Sequence, residues 1–356
     1  MSRVVVKMDI DTIPVTGVEE LEKHLDELIA DPSLESTLKL FDDVELQLTD
    51  ANIPPLIPRL LPKITEILKQ YQQDPKILCS LAIKLLGPLN FTQILSLASE
   101  EALIQALRSP APSANILAMT VLEKATKSPG DAAILARMNN IITNFLIQWL
   151  SAPQVEVGEK GSRVLGDLLD VDCETRPADG LSANGMEIAI RKPPGQGLLW
   201  RRIFYDRDVY EIILSLCANH PLGTQQQSLA QGRVLRILPR LTALNFRAVT
   251  WSDFTDLNQK YAKSNGNGGL LHFAALSIDK EDMLVHLNLI DFFEVLLSIQ
   301  RVTPFSTYKI DTLKSLVRDA TAQDNVLKAA ILTLPERTVP EEADELQQFI
   351  REILNP

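Results

Sequence analysis

Apolar residues recur at helical spacing along most of this chain, and that periodicity constrains the fold more than any single motif does. In VEELEKHLDELI (18–29), four aliphatic residues fall on one stripe, with acidic residues and lysine on the other side. No segment shows the clean two-residue alternation of a half-buried strand. The sequence therefore predicts an all-α protein. Further helical segments are predicted at 34–48, 52–70, 74–89, 99–108, 112–127, 131–151, 154–170, 208–218, 224–243, 270–278, 282–300, 306–319, 323–332 and 341–354.

Several of the predicted helices can be aligned with one another as repeats. Small residues come into register at Ala82, Ala118 and Gly161, each followed by a pair of apolar residues, and SLAQGRVLRILPRL (228–241) has a similar pattern. The spacing is close to the ~40–47 residues typical of HEAT and armadillo units. A small residue lets a neighbouring helix approach closely, and stacking buries apolar faces that one unit cannot bury alone. We therefore expect a HEAT/armadillo-like helical-repeat solenoid, a curved arc; a globular all-α bundle with chance similarity is the alternative.

The repeats predict a single array over residues 1–356, broken by two long polar stretches. These stretches are 171–197 and 258–269, and both are rich in Gly, Asn or Pro. Loops of such length in a compact array are usually functional or disordered. We expect them to be surface insertions between repeats.

The charge balance of the chain is acidic. It has 35 Lys and Arg against 46 Asp and Glu, a net charge of −11, and no basic run longer than Arg201-Arg202. Nucleic-acid affinity depends on cations that neutralise phosphates. We therefore expect no direct binding to nucleic acid. An acidic surface suits a basic protein partner better.

Cysteine usage and the first residues indicate the compartment. The three cysteines, Cys79, Cys173 and Cys217, are odd in number and far apart, which predicts a reducing environment. Asp9 and Asp11 stand where a signal peptide would have its apolar core. No run reaches 18 uninterrupted apolar residues, so no membrane span is predicted. We expect a cytoplasmic protein, with the nucleus as a second compartment, that is monomeric when free.

The sequence contains no recognisable catalytic or metal-binding pattern. Gly195-Gln196-Gly197 has neither a preceding strand nor the Gly-Lys-Ser/Thr of a phosphate loop. The acids at 170–174 lack the glycine and the terminal glutamate of a calcium loop. We therefore expect no enzymatic activity, no metal and no cofactor. The four histidines lie far apart, at His24, His220, His272 and His286.

The stretch PPGQGLLWRRIFYDRDVYEIILSLC (193–217) concentrates the residue types that dominate protein–protein interfaces, namely Trp, Tyr and Arg. Two interpretations stay open. Trp200 and Phe204 anchor the preceding insertion on the core while the arginines pair with local acids, or these residues contact a partner. The predicted partner-binding residues are Glu156, Glu159, Arg163, Asp167, Asp170, Trp200, Arg201, Arg202, Asp206 and Arg207.

Three stretches resemble the fungal HSM family, which is labelled "DNA mismatch repair protein" and is related to the proteasome non-ATPase regulatory subunit 5. They are VEVGEKGSRVLGDLL (155–169), the 193–217 stretch above, and GLLHFAALSIDKEDMLVHLNLIDFFEVLLSI (269–299). The resemblance runs from about residue 20 to the C-terminus and includes no catalytic motif. It implies a HEAT-repeat chaperone for assembly of the 26S proteasome base. Such a chaperone holds the C-terminal domain of one base ATPase subunit and leaves before the finished regulatory particle docks.

Two other classes of function compete with the chaperone. A DNA-repair factor, as the family label has it, needs a basic track and would show steep salt dependence with duplex DNA. A generic HEAT scaffold or transport adaptor would bind transport carriers and have no affinity for ATPase domains.

Overall fold

The structure, a computed structural model, describes residues 14–71, 73–174, 193–262 and 266–355. Throughout these ranges the regular elements are helices, with one isolated β-bridge between Trp251 and Gly268. The predicted all-α, helical-repeat class is confirmed.

The helices are short to medium in length, and two brief 3-10 turns follow α7 and α19. In chain order the helices are α1 (Val18–Ala30), α2 (Leu38–Glu45), α3 (Ile57–Leu68), α4 (Lys76–Leu85), α5 (Phe91–Leu95), α6 (Glu100–Arg108), α7 (Pro112–Lys124), α8 (Pro129–Arg137), α9 (Asn139–Ser151), α10 (Val155–Val171), α11 (Leu198–Phe204), α12 (Arg207–Ala218), α13 (Thr224–Leu244), α14 (Phe246–Thr250), α15 (Thr255–Ala262), α16 (Leu270–Leu276), α17 (Met283–Val302), α18 (Thr307–Thr321), α19 (Asn325–Thr333) and α20 (Pro340–Leu354).

Polar side chains fix where several of these helices begin. At α5, Asn90 and Gln93 form a capping box, in which each side chain accepts a hydrogen bond at 2.9 Å from the other residue's backbone N–H. Ser99 and Ser128 accept from the third residue beyond them at α6 and α8. These bonds satisfy N–H groups that have no partner inside the helix.

The chain divides into two compact units, one ending at Lys124 and the other beginning at Ala125. In the first unit, α1 packs on α3, while α2, α4 and α7 form a row in which each helix contacts the next. Helix α3 contacts α4, and α6 contacts α7, so paired helices stack as repeats do. The aligned small residues Ala82 and Ala118 lie buried on α4 and α7, which pack together.

The second unit is organised around its two longest helices, α13 and α17, which lie against each other. Helix α13 also contacts α9, α10 and α12, and α17 also contacts α19 and α20. The third aligned small residue, Gly161 on α10, lies against Trp149 of α9. A Cβ at that position would come 2.6 Å from the indole Cδ1, so the close approach requires glycine.

Several predicted boundaries were wrong. The predicted helices 34–48, 52–70 and 74–89 are shorter in the structure, at Leu38–Glu45, Ile57–Leu68 and Lys76–Leu85. The single helix predicted at 131–151 is two helices, α8 and α9, separated at Met138, whose backbone is not helical (φ −89°, ψ 70°). Helix α15 occupies the first part of the predicted insertion 258–269, because Leu257 is buried and α15 packs on α12 and α16. Residues 175–192 and 263–265 of the two predicted insertions lie outside the described residues.

Helix α17 is long and apolar enough to cross a membrane by length and composition, and no other helix in the described ranges is. One side of α17 faces α13, α19 and α20 within the second unit, whereas Met283, Leu284, Leu287, Val295 and Val302 are exposed. The buried apolar residues of α17 are Val285, Leu289, Phe292, Phe293, Leu296 and Leu297.

Asp324 joins α17 to α19 and makes part of the stability pH-dependent. Its buried carboxylate accepts from Leu327 N at 2.9 Å, lies 2.8 Å from His286 Nε2, and lies 3.4 Å from Lys280 Nζ. Burial alone raises the pKa of Asp324, but the hydrogen bonds from Leu327 and His286 and the charge of Lys280 outweigh it, so this pKa is lowered. A carboxylate with a lowered pKa stabilises the fold above its unfolded pKa of about 3.9, and loses that contribution as the pH falls through its folded pKa.

We therefore expect Asp324→Ala to lower the free energy of unfolding by about 1–2 kcal/mol at neutral pH, the usual cost of losing an N-cap. The difference between the two proteins should begin to shrink below about pH 4, near the unfolded pKa, and shrink further as the pH falls through the lower folded pKa. Urea unfolding at several pH values measures the loss of stability at neutral pH and its change with pH. A difference that stays constant into the acid range would contradict a role for the charge.

Candidate protein-binding surfaces

The ten predicted partner-binding residues all lie in the second unit. Five are on α10, and the other five lie on α11, on α12 or at the junction between them. They belong to two surfaces, the α10–α13 charged face and the arginine groove, which are defined below.

The α10–α13 charged face consists of exposed and half-exposed residues of the two helices. Glu159 pairs with Arg236, and Arg240 pairs with Asp167 at 2.8 Å and with Asp170 at 3.5 Å. Solvated pairs of this kind are each worth about 0–1 kcal/mol. Three of the predicted acids are thus joined to arginines of α13, which the sequence reasoning had not singled out.

The other two predicted residues of α10 complete this face. Glu156 is exposed and has no partner among the described residues, and Arg163 is exposed as well. The α10–α13 charged face therefore presents both signs of charge in close alternation. Such a surface favours a partner with complementary charges at matching positions.

The segments before and after residues 175–192 are held together at a narrow neck. Gly195 N donates to Cys173 O and Gly197 N donates to Asp172 O, both at 2.9 Å. The buried carboxylate of Asp172 accepts from the first backbone N–H groups of α11, including Leu199 N at 2.7 Å. Gly197 has φ 65°, the left-handed conformation that glycine adopts without strain. The neck thereby fixes where α11 begins.

Glycine is required at this neck. A Cβ at position 195 would lie 2.1 Å from the carbonyl carbon of Asp172, a backbone atom that cannot move aside. We expect Gly195→Ala to lower the free energy of unfolding by about 2–3 kcal/mol, as overpacking does. The control is Gly130→Ala on α8, where a Cβ meets only Ser128 Oγ at 3.8 Å. Calorimetric melting that shows equal effects for the two variants would contradict the steric argument.

Trp200 anchors α11 on the rest of the second unit. It is 3% exposed, its Nε1–H donates to Leu169 O at 2.9 Å, and its ring stacks on Phe204 with centroids 5.2 Å apart. The structure therefore places this indole in the core, which is the anchoring alternative that the sequence left open. It does not offer the ring to a partner as a freely exposed side chain.

The arginine groove lies where α8, α11 and the start of α12 meet, and its cavity volume is about 890 Å³. Its lining includes four arginines, the edge of Trp200 and the half-exposed ring of Tyr205, together with two carboxylates, Glu174 and Asp206. The four arginines are Arg137, Arg201, Arg202 and Arg207.

The four arginines differ in how firmly they are held. Arg202 donates from Nε to Ala136 O at 3.2 Å and pairs with Asp206 at 2.5 Å. Arg207 pairs with Glu211 at 3.2 Å and with Asp256. Arg201 pairs with Glu174 at 2.7 Å, and both side chains are more than half exposed. Arg137 is exposed and has no partner in the described part of the chain.

A fifth arginine, Arg247, extends the cationic and aromatic character beyond the groove. Its guanidinium carbon lies 5.6 Å from the centre of the Trp251 ring and 5.9 Å from that of Tyr308. Burial raises the pKa of Tyr205 at the groove, while the nearby charge of Arg247 acts in the opposite direction. Arg247 therefore lies close enough to Tyr205 for the two to be electrostatically coupled.

The described residues offer little for covalent or metal chemistry. Within them, no group of three or more His, Cys, Asp or Glu side chains could hold a metal ion. The cysteine thiols are buried, and burial raises the pKa of Cys79 to about 11 and that of Cys217 further. A thiol of that kind stays protonated at neutral pH and is a poor nucleophile.

Sequence reasoning missed Arg137, Tyr205, Arg236, Arg240 and Arg247. Arg236 and Arg240 are spaced four apart on a predicted helix, so a shared exposed face could have been inferred for them. The position of Arg137 beside Arg202 could not have been inferred from the sequence, because the two residues come from separate parts of the chain.

Residues 19–158 match the family model described as "DNA mismatch repair protein HSM3, N terminal domain". This range runs from α1 into the first residues of α10. No curated protein matches the chain at a significant level. Over residues 19–158 the chain is therefore similar to the N-terminal domain of the HSM3 family, which is the family that its sequence resembles.

Proposed function

We propose that this protein is a chaperone for assembly of the 26S proteasome base. In this proposal it holds the C-terminal domain of one base ATPase subunit and blocks premature docking. The observation that carries the proposal is the family match over residues 19–158, joined to the resemblance of the later stretches to the same family. The name of the matching family refers to mismatch repair, so the proteasome role is inferred from the resemblance alone.

The helical architecture supports a binding role. Repeat stacks expose long surfaces made of successive helices, and they act chiefly by binding other proteins. The second unit presents two such surfaces, the α10–α13 charged face and the arginine groove. Neither surface contains a metal cluster or a reactive thiol among the described residues.

The proposed mechanism is steric. The α10–α13 charged face and the rim of the arginine groove contact the ATPase domain, and the pairs that Arg236 and Arg240 now make on the surface are exchanged for pairs with the partner. Charge complementarity of this kind speeds association and fixes orientation more than it adds affinity. While the chaperone is bound, it occupies space that the proteasome core particle needs when the base docks.

A docking experiment tests the holding and the blocking together. Purified base ATPase subassembly is mixed with core particle, with and without the full chain, and complexes are separated by sedimentation. We expect the chain to sediment with the subassembly and to reduce its association with the core particle. Albumin at the same concentration controls for non-specific effects. A complex that contains chain, subassembly and core particle together would contradict the blocking, and no association with the subassembly would contradict the proposal.

A further inference from the structure

The charge of the arginine groove is opposite to that of the protein as a whole. Its lining residues include four arginines against Glu174 and Asp206, a net charge of +2 for the lining itself, in a chain whose net charge is −11. Of these arginines, Arg207 is balanced by Glu211 and Asp256, which lie outside the lining. A cationic cavity on an acidic protein concentrates anionic ligands there and disfavours them elsewhere. The ligand that fits this groove therefore carries negative charge.

Two of the four arginines are available to a ligand at little cost. Arg137 is exposed and without a partner among the described residues. Arg201 pairs with Glu174, but the two side chains are 63% and 55% exposed, and pairs exposed to this degree contribute little. A carboxylate from a ligand can replace Glu174 with almost no loss. The planar guanidinium favours carboxylates because it can donate two parallel hydrogen bonds.

The volume of the groove and its aromatic lining further restrict the kinds of ligand that can bind there. The volume of about 890 Å³ lies within the range of about 300–1,000 Å³ of small-ligand pockets, so the groove admits a short segment and not a folded domain. Tyr205 is 46% exposed at the groove and offers a ring for an apolar side chain to lie against. Arginine and tyrosine together are typical of the residues that dominate peptide and protein recognition.

The arrangement of charge favours a peptide over a nucleic acid. Nucleic-acid binding needs a track of several cations that are free to neutralise successive phosphates. Three of the four groove arginines already pair with carboxylates of the chain, and only Arg137 is without one among the described residues. The remaining charge suits one or two single-charge carboxylates and is too small for a row of phosphates.

We propose that the arginine groove binds an extended, carboxylate-rich segment of a partner protein. Asp or Glu side chains of the segment pair with Arg137 and Arg201, and an apolar neighbour lies against Tyr205. Arg202, fixed between Ala136 O and Asp206, holds α11 against α8 and so sets the width of the groove. This inference concerns the groove's own ligand and does not depend on whether the protein holds an ATPase domain.

The test is fluorescence anisotropy with the full chain and a labelled peptide of alternating glutamate and leucine. The comparison probes are the same peptide with glutamine for glutamate, and labelled oligothymidine. We expect saturable binding of the glutamate peptide and at least about tenfold weaker binding of the glutamine peptide, since the charges supply the contact. Added salt should weaken the binding because the paired groups are exposed.

Charge-reversal variants place the binding in the groove. Arg137→Glu/Arg201→Glu should weaken binding of the glutamate peptide by about tenfold or more. Arg351→Glu on α20, which is also exposed and also without a partner among the described residues, should change that binding by less than about twofold. If the charge-reversal variant does not fold, Arg137→Gln/Arg201→Gln takes its place. This variant adds no negative charge and should weaken binding of the glutamate peptide to a similar degree. Any of four results would overturn the proposal. These are equal weakening of peptide binding by Arg351→Glu, equal affinity for the glutamate and glutamine peptides, tighter binding of oligothymidine than of the glutamate peptide, and no binding of the glutamate peptide.

Discussion

Replacing Arg233 by methionine should lower the free energy of unfolding by about 3–5 kcal/mol. Arg233 lies on α13 and is 8% exposed. Its Nη1 donates to Trp149 O at 2.7 Å, and its Nη2 donates to Ala152 O at 2.6 Å and to Gln154 O at 3.3 Å. One guanidinium thus satisfies the last carbonyl groups of α9 and the turn into α10. Methionine fills similar space but leaves those acceptors buried without donors, and each such loss costs about 1–3 kcal/mol.

The control is Arg236→Met on the same helix. That arginine is 60% exposed and, among the described residues, pairs with Glu159 alone, so its replacement should cost less than about 1 kcal/mol. Guanidinium chloride unfolding followed by circular dichroism compares the two variants. Similar losses for both would show that burial and the carbonyl contacts do not set the cost.

Gly158 provides an independent check on the position of Arg233. A Cβ at Gly158 would lie 2.3 Å from Arg233 Nε, so Gly158→Ala should displace the guanidinium and destabilise the protein. The same change in the Arg233→Met background should cost less, because a flexible thioether can move aside. The two substitutions should therefore be non-additive, as expected of residues in contact.

Lys309→Met has the next largest expected effect, a loss of about 2–4 kcal/mol in the free energy of unfolding. Lys309 is 5% exposed, and its ammonium donates to Gln300 O, Thr303 O, Thr303 Oγ1 and Pro304 O at 2.9–3.0 Å. Burial lowers its pKa. No carboxylate pairs with it among the described contacts; the charge instead closes the C-terminal end of α17, where a cation is favourable.

Chemical unfolding of Lys309→Met and Lys314→Met tests this role. Lys314 lies on the same helix, α18, is only half-buried and makes no such set of contacts within the described residues, so its replacement should change stability by less than about 0.5 kcal/mol. A Lys309→Met protein as stable as the wild type would mean that the end of α17 does not need the ammonium.

The helices with strong periodicity could be predicted from sequence because their burial pattern is local. Helix α10 was predicted at 154–170 and found at Val155–Val171, and α13 was predicted at 224–243 and found at Thr224–Leu244. The division between α8 and α9 could not be predicted, because Arg137, Met138 and Asn139 include no Pro or Gly to mark a break. Helix α14 spans only five residues, too few for a periodic signal.

The candidate surfaces were only partly predictable for a different reason. The cluster of Trp and Arg near residue 200 is visible in one short stretch, and the structure places its arginines at the arginine groove. Their contact with a partner stays a prediction. Its contacts are not local: Arg202 bonds Ala136 O, 66 residues earlier in the chain, and Arg247 lies against Tyr308 on α18. Such juxtapositions depend on how the repeats stack, which periodicity alone does not specify.

The central claim is that this chain binds one base ATPase subunit. Titration calorimetry of the full chain against the isolated C-terminal domain of each base ATPase in turn, with duplex DNA as a further titrant, tests it most directly. We expect tight binding to one ATPase domain and no binding to duplex DNA. Arg201→Glu should weaken the binding to that domain, and Arg351→Glu should leave it unchanged. Absence of binding to every domain at micromolar concentrations, or binding to duplex DNA with steep salt dependence, would contradict it.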